Sequence, residues 1–189
     1  MVWLLRQLNV KGNRRFLTSL SHGTMANAYP QAMGIALAYP GRQVIAMCGD
    51  GGLSMLMGDL LTLAQEKIPV KLLVYNNHSL GFVEMEQRVE GLLDHYTELQ
   101  NPDFSKLAQV CGLRGWQVTQ TDQLETAMRQ WLASDQCGIL DVHVNRFELV
   151  MPPEIEVSQV ASTALFGIKA VLSGRTDEVV SLLLDNFIR

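Results

Sequence analysis

The sequence predicts an α/β protein in which a parallel β-sheet carries helices on both faces and a helical tail follows at the C-terminus. Short apolar runs typical of buried strands alternate with segments of helical periodicity, and this alternation predicts βαβ units. The alternation ends at Met151–Glu154, and only helical patterns follow. We therefore expect a domain over residues 1–150 and a tail over residues 151–189.

Each predicted element is a short segment with its own pattern. Apolar runs bounded by turn residues predict strands at 15–21, 43–48, 70–75, 115–120 and 138–144. Helical segments are expected between them, at 26–38, 53–67, 81–91, 103–112 and 121–134. The tail predicts one helix over residues 158–174, which ends at Gly174, and a shorter helix capped by Thr176.

The composition excludes several classes of protein. A formal net charge of -4, with no basic run, argues against a partner that is a nucleic acid. The cysteines, Cys48, Cys111 and Cys137, are scattered and form no CxxC pair, so neither a disulfide framework nor a zinc site is expected. No apolar run approaches the roughly 20 residues of a membrane-spanning helix. These features are typical of a cytoplasmic protein.

An aspartate between glycines stands directly after the second predicted strand. Asp50 lies within Gly49–Gly52, and Asn76–Asn77 follow the next strand along the chain. Because the ends of neighbouring parallel strands meet at one edge of a sheet, where ligands bind, we expect these polar residues to lie side by side. The glycines allow a ligand to approach the backbone, and the free amides of the next helix suit an anion. A carboxylate beside an anion needs a bridging cation, and Mg²⁺ prefers such oxygen ligands.

Taken separately, each half of this pattern most often forms a turn or a helix cap and binds no ligand. An Asp-Gly-Gly sequence after a strand is commonly a tight turn, and an asparagine pair commonly caps a helix. A Walker phosphate loop is excluded because no Gly-Lys-Ser/Thr follows, and "GDGGLS" lacks the third glycine or alanine of a dinucleotide fingerprint. The joint pattern is more specific, because GDG, 24 residues and NN place both halves at strand ends.

This joint pattern resembles the cofactor motif of thiamine diphosphate-dependent enzymes. The segments "SHGTMANAYPQAMG", "MCGDGGLSMLMGD", "NHSLGFVEMEQ" and "SGRTDEVVSLLLDNFIR" are, in addition, similar to the C-terminal third of the pyruvate oxidase family, the quinone-linked pyruvate dehydrogenases. The resemblance covers essentially the whole chain and implies the thiamine diphosphate-binding fold, with thiamine diphosphate and Mg²⁺ as cofactors.

The resemblance also implies roles for individual residues. The Asp50 and Asn77 side chains and the Ser79 backbone carbonyl are the implied metal ligands, and Phe82 and Glu86 are the implied catalytic residues. Gly23 would contact the aminopyrimidine through its carbonyl, and Met25 would support the bend between the two cofactor rings. The implied cofactor-binding residues are Gly23, Thr24, Met25, Asp50, Gly51, Gly52, Asn77, His78, Ser79, Leu80, Gly81, Phe82 and Val83.

The whole enzyme that the resemblance implies decarboxylates pyruvate to acetate and CO₂ and passes electrons through FAD to ubiquinone. It is a homo-oligomer in which another subunit supplies the pyrimidine-binding domain, and it lies in the cytoplasm at the inner face of the cell membrane. Neither that domain nor the flavin domain is recognisable in this chain. We therefore expect a fragment that carries the metal and diphosphate half of the active site and is inactive alone.

The tail has apolar stripes on both predicted helices, and the resemblance implies that it binds membrane lipid. Acidic residues outnumber basic ones there, so buried apolar area rather than attraction to anionic lipid would supply most of the affinity. The predicted stripe residues are Val160, Ala161, Ala164, Leu165, Ile168, Val171 and Leu172, followed by Val180, Leu183, Leu184 and Phe187.

Two alternatives remain open at the level of sequence. The chain could belong to another thiamine diphosphate enzyme, such as an acetolactate synthase or a carboligase, although the "LGF" after the metal motif and the tail favour the oxidase. It could also be a folded remnant without catalytic activity, because every local site residue would survive in such a protein.

Overall fold

The computed structural model describes residues 2–148 and 157–187. Its contacts divide the chain into two compact units. The first comprises residues up to Asn77 together with Gln100–Val144, and the second comprises His78–Leu99 together with the described residues from Asn145 onward. The sequence boundary at Met151–Glu154 lies outside the described residues, so the division at residue 150 stays a prediction.

The first unit is built on a four-stranded parallel sheet. Its strands are β1 (Val44–Gly49), β2 (Val70–Asn76), β3 (Arg114–Val118) and β4 (Gly138–His143), in the spatial order β1-β2-β4-β3. The inner strands β2 and β4 are buried over nearly their whole length, as expected where both faces of a parallel sheet are covered. The predicted fold class is confirmed.

Helices cover both faces of this sheet. The described helices of the first unit are α1 (Val2–Gln7), α2 (Ala28–Ala38), α3 (Asp50–Met55), α4 (Leu60–Gln65), α6 (Phe104–Val110) and α7 (Leu124–Ala133). Helix α5 (Gly81–Val89) belongs to the second unit. Along β2 the side chains alternate between the two faces. Leu72 packs in the cluster that contains Phe104 of α6, and Leu73 packs in the cluster that contains Trp131 of α7.

The strand predicted over residues 15–21 is wrong. That segment has no strand structure, and β1 pairs only with β2 in the described part of the sheet. The side chains of Leu17 and Leu20 are 56% and 70% exposed, so they contribute nothing to a core. A short apolar run without a neighbouring strand has no partner for its backbone hydrogen bonds.

The helix predicted over residues 53–67 is divided and begins earlier than expected. Its first part, α3, starts at Asp50 directly after β1, a 3₁₀ turn covers Met57–Asp59, and α4 follows. The break occurs at Leu56, where φ is −124° and ψ is 28°. The helix predicted from Ala26 begins at Ala28, because Ala26 has a left-handed φ of 69° that cannot continue a right-handed helix.

The second unit contains three helices within the described residues, α5 (Gly81–Val89), α8 (Val157–Leu172) and α9 (Thr176–Phe187). The two tail helices that the sequence predicts are therefore confirmed. Phe166 and Ala170 of α8 are buried. The predicted stripe lies on the other side, where the exposed side chains are Val160, Ala161, Ala164, Leu165, Ile168, Val171 and Leu172.

A buried arginine connects the helices of this unit. Arg88 of α5 forms an ion pair with Glu84 one turn away, and its Nε lies 3.1 Å from Oδ1 of Asp94. Its guanidinium also lies 5.3 Å from the ring centre of Phe166. Arg88, Glu84 and Asp94 are all buried, so each charge depends on its partners rather than on water.

Asp94 joins this cluster to the beginning of α9. Its Oδ2 accepts a hydrogen bond of 2.8 Å from Arg175, which also donates to Glu178 at 2.6 Å. Burial raises the pKa of Asp94, but the hydrogen bonds from Arg175 and Arg88 outweigh burial and hold that pKa below its usual value. The carboxylate is therefore charged in the folded unit and holds both arginines.

None of the helices in the described ranges combines the length and the apolar character needed to cross a lipid bilayer.

Replacement of the buried arginine should destabilise the second unit strongly. Arg88→Met leaves Glu84 with only the longer contact of 3.4 Å to Arg146 and removes one of the two arginines at Asp94. The loss of one partner of a buried ion pair typically lowers the free energy of unfolding by about 3–5 kcal/mol. The matched control is Arg129→Met, which breaks an exposed ion pair with Glu125 and should cost below about 1 kcal/mol. Urea denaturation measures both variants, and equal losses would contradict the role assigned to Arg88.

Candidate functional site

The carboxylate of Asp50 is buried where β1 ends and α3 begins. Asp50 is only 2% exposed. Its Oδ1 accepts a hydrogen bond of 2.9 Å from the Gly51 amide, and its Oδ2 accepts one of 2.7 Å from the Asn101 side chain. Both donors are neutral, and Asp50 takes part in none of the salt bridges of the described residues.

The asparagine pair lies at the adjacent strand end, as predicted. Gly49 pairs with Tyr75 in the parallel ladder of β1 and β2, so the next residues, Asp50 and Asn76, lie side by side where the two strands end. Asn76 is buried, and Asn77, which follows it, is half-buried. The predicted neighbourhood of the two motif halves is therefore confirmed within the first unit.

The sequence did not predict the roles of Asn76, Asn101 and Asp141. The Asn101 amide donates to Asp50 and also to Oδ1 of Asn76, at 2.9 Å. The Asn76 amide donates in turn to Oδ1 of Asp141 at 3.1 Å. Asp141 lies in β4 and is fully buried, and burial raises the pKa of its carboxyl group even though Asn76 hydrogen-bonds to it. A polar residue inside an otherwise apolar strand was the signal for Asp141.

The loop at Gly23–Met25 approaches the glycines after Asp50. A Cβ at Gly52 would lie 3.5 Å from the backbone nitrogen of Ala26, so the absence of a side chain there leaves space between the two segments. Gly23 has a left-handed φ of 54°, and the side chain of Met25 is exposed. The structure thus places Gly52 beside Ala26, the residue that follows Met25.

The remaining predicted residues lie in the second unit. Residues 78–80 pair with residues 97–99, since Leu80 donates to Thr97 at 2.7 Å and Leu99 donates to His78 at 2.9 Å. The buried Ser79 hydroxyl donates to Glu84. These contacts hold the segment that leads into α5.

Two predicted catalytic residues lie on one face of α5. Phe82 and Glu86 are one turn apart, and both side chains are exposed. Val83 is exposed as well. The contacts predicted for Thr24, His78, Leu80, Gly81 and Val83 with a cofactor stay predictions, as do the metal and catalytic roles.

Comparison with known proteins shows the family. Residues 1–142 match the model of the C-terminal thiamine pyrophosphate (thiamine diphosphate) binding domain of thiamine pyrophosphate enzymes. The chain belongs to the thiamine pyrophosphate enzyme family.

Several curated relatives are similar over most of the chain. YdaP of Bacillus subtilis (strain 168), provisionally named a thiamine pyrophosphate-containing protein, is 36% identical over 96% of this chain and 31% of its own length. The large subunit of acetolactate synthase isozyme 2 of Escherichia coli (strain K12) is 32% identical over 80% of this chain and 28% of its own. The mitochondrial acetolactate synthase catalytic subunit of Saccharomyces cerevisiae is 31% identical over 80% of this chain and 22% of its own length. The chain thus spans about a fifth to a third of the length of these relatives.

The oxygen atoms near Asp50 that could coordinate a metal suit the ion that accompanies thiamine pyrophosphate. They are carboxylate and amide oxygens, and no group of three or more histidine, cysteine, aspartate or glutamate side chains suited to a metal occurs among the described residues. Such a set is unsuited to zinc or copper, whereas Mg²⁺ is commonly held by one or two carboxylates together with phosphate oxygens. The buried Asp50 charge, which lacks a protein counter-ion there, agrees with a bound cation.

Removal of the Asp50 charge should weaken Mg²⁺-dependent binding of thiamine pyrophosphate more than any other single change at the site. Asp50→Asn keeps the shape of the side chain but removes its charge, and we expect a loss beyond the roughly 10–100-fold that a supporting residue contributes. Asn77→Ala should weaken binding less, because a neutral group is lost. Calorimetry with Mg²⁺ and thiamine pyrophosphate measures the affinity of each variant. Asp122→Ala, which changes an exposed side chain, is the control. Equal affinities of the Asp50→Asn variant and the unchanged chain would contradict the metal assignment.

Proposed function

We propose that this chain holds the diphosphate group of thiamine diphosphate through Mg²⁺, as part of an enzyme that decarboxylates pyruvate. The observation that carries the proposal is the buried Asp50 carboxylate at the sheet edge, beside Asn76 and without a counter-ion among the described residues. Membership of the thiamine pyrophosphate enzyme family supports it. The substrate is proposed because the acetolactate synthases among the relatives and the pyruvate oxidase family both begin from pyruvate.

In this proposal the Mg²⁺ ligands from the protein are the side chains of Asp50 and Asn77 and the backbone carbonyl of Ser79. The two glycines after Asp50 would allow the diphosphate to approach the backbone closely, because neither carries a side chain. Asp50 is buried, and hydrogen bonds from Gly51 and Asn101 hold its carboxylate in one orientation, which would favour a cation bound there.

The resemblance to thiamine diphosphate enzymes suggests further roles for residues of each unit. The Gly23 carbonyl would accept a hydrogen bond from the aminopyrimidine, and the exposed Met25 side chain would support the bend between the rings. When bound, thiamine diphosphate supplies the carbon that accepts electrons as CO₂ leaves. Phe82 would exclude water from the substrate, and the Glu86 carboxyl group would hold or deliver a proton there.

Acetolactate formation is the reaction that the relatives favour. Two of the relatives described above are named as subunits of acetolactate synthases, and each is similar over 80% of this chain. In that reaction two pyruvate molecules give one acetolactate and one CO₂, and no external oxidant is needed. A carboligase with another acceptor aldehyde or keto acid would use the same residues of this chain.

A quinone-linked pyruvate oxidase is the second candidate, because the sequence of the tail resembles that family. The relative YdaP is similar over 96% of the chain, so its similarity extends into α8 and α9, whereas the acetolactate synthases cover 80%. In this reaction pyruvate, water and a quinone give acetate, CO₂ and the quinol, with FAD as the carrier of two electrons. The exposed stripe of α8 would then contact membrane lipid, and homo-oligomerisation would complete the active site.

The products of pyruvate distinguish the two candidates. The assembled enzyme that contains this chain should release CO₂ from pyruvate only with Mg²⁺ and thiamine diphosphate. Acetolactate formed without an electron acceptor would establish the first candidate, and acetate formed only with a quinone analogue would establish the second. The Asp50→Asn variant is the control and should be inactive. Absence of CO₂ release from an assembly that binds both cofactors would contradict the proposed function and indicate a remnant without catalytic activity.

A further inference from the structure

The side-chain amide of Asn101 lies between two acceptors at the candidate metal site. Its Nδ2 is 2.7 Å from Oδ2 of Asp50 and 2.9 Å from Oδ1 of Asn76. Asn101 stands 51 positions after Asp50 in the sequence and belongs to the same compact unit. One amide group therefore connects the strand end of β1 with that of β2.

The direction of these hydrogen bonds is fixed by two carboxylates. The chain of contacts runs from Asp50 through Asn101 and Asn76 to Asp141, where the Asn76 amide donates over 3.1 Å. Each asparagine turns its side-chain nitrogen toward the neighbouring aspartate, to which it donates. The Asn76 oxygen then faces Asn101, whose amide donates to it.

This arrangement fixes the rotation of the Asp50 carboxylate. Asn101 holds Oδ2, and the Gly51 amide holds Oδ1 at 2.9 Å. Each carboxylate oxygen offers about two lone-pair positions, so one donor on each oxygen leaves room for a metal ion. Without Asn101, the Oδ2 side of the carboxylate would have no hydrogen-bond donor among the described residues.

Asn101 is itself held in place by the beginning of α6. Pro102 restricts the backbone of the residue before it to extended conformations. Asp103 then caps α6, since its Oδ1 accepts hydrogen bonds of 3.0 Å from the amides of Ser105 and Lys106. Phe104 is fully buried and fixes the first turn in the core. The amide of Asn101 is therefore presented from a rigid element.

We propose that Asn101 is a positioning residue for the magnesium site, acting through the carboxylate of Asp50. The inference rests on the proposed function, because it assumes that Asp50 is a metal ligand. Mg²⁺ demands near-ideal octahedral geometry at about 2.0–2.1 Å, so a carboxylate that can rotate binds it poorly. Partners behind a metal ligand typically contribute about 10–100-fold to metal affinity.

The test measures Mg²⁺ and Ca²⁺ separately in the full 189-residue chain. Calorimetry with thiamine diphosphate gives the half-saturating concentration of each cation for Asn101→Ala, for Asn101→Leu and for the control Gln100→Ala, which changes the exposed neighbouring side chain. We expect Mg²⁺ binding of both Asn101 variants to weaken by about 10–100-fold. Ca²⁺ binding should weaken much less, because its coordination is flexible. Asn101→Leu should have the larger effect, since its side chain keeps water from replacing the amide.

A double variant tests whether Asn101 acts through Asp50. In an Asp50→Asn background, the further change Asn101→Ala should leave the remaining cation affinity unchanged, because the group that it positions is gone. Additive losses would overturn the proposal, as would equal losses of Mg²⁺ and Ca²⁺ binding or Mg²⁺ binding equal to that of Gln100→Ala. Thermal unfolding shows whether each variant folds. If Asn101→Leu does not fold, the cation affinities of Asn101→Ala test the proposal. If the unchanged chain binds no cation with thiamine diphosphate, the proposed function fails first and the role of Asn101 fails with it.

Discussion

The carboxylate of Asp50 is buried at the end of β1 and has no ion pair with any described residue of the chain. An isolated buried carboxylate is costly, because removal of a charge from water is only partly offset by neutral hydrogen bonds. Here two such bonds, from the Gly51 amide and the Asn101 side chain, orient the group without neutralising it. A carboxylate in this environment is suited to a cation, and an edge of a parallel sheet is where ligands commonly bind.

In the second unit, by contrast, the buried charges form ion pairs with one another. Arg88, Glu84, Asp94 and Arg175 compensate one another within the protein, and no external ion is required. Such clusters contribute less net stability than their short distances suggest, since each member has lost its hydration. Their geometry is nevertheless specific, and it fixes α5, which carries Phe82 and Glu86, to the helices of the tail.

The sequence allowed the sheet and the motif to be predicted, because these depend on local patterns. The alternation of strands and helices led to β1 and β2, and the parallel arrangement then required Asp50 and Asn76 to be neighbours. The strand predicted over residues 15–21 failed because its apolar side chains have no core to join, which a local pattern does not reveal. Asn101 was missed for a related reason, since its contact with Asp50 joins positions 51 residues apart and depends on where the chain begins α6.

The central claim is that a divalent cation binds at Asp50 together with thiamine diphosphate, and Mn²⁺ in place of Mg²⁺ tests it directly. In the ¹⁵N-labelled chain, Mn²⁺ added with thiamine diphosphate should broaden the amide signals of Gly49–Gly52 and Asn76–Asn77 first. The Asn101 side-chain amide signal should broaden with them, because it lies 2.7 Å from the Asp50 carboxylate. Broadening that is centred elsewhere, or that persists unchanged in the Asp50→Asn variant, would contradict the account.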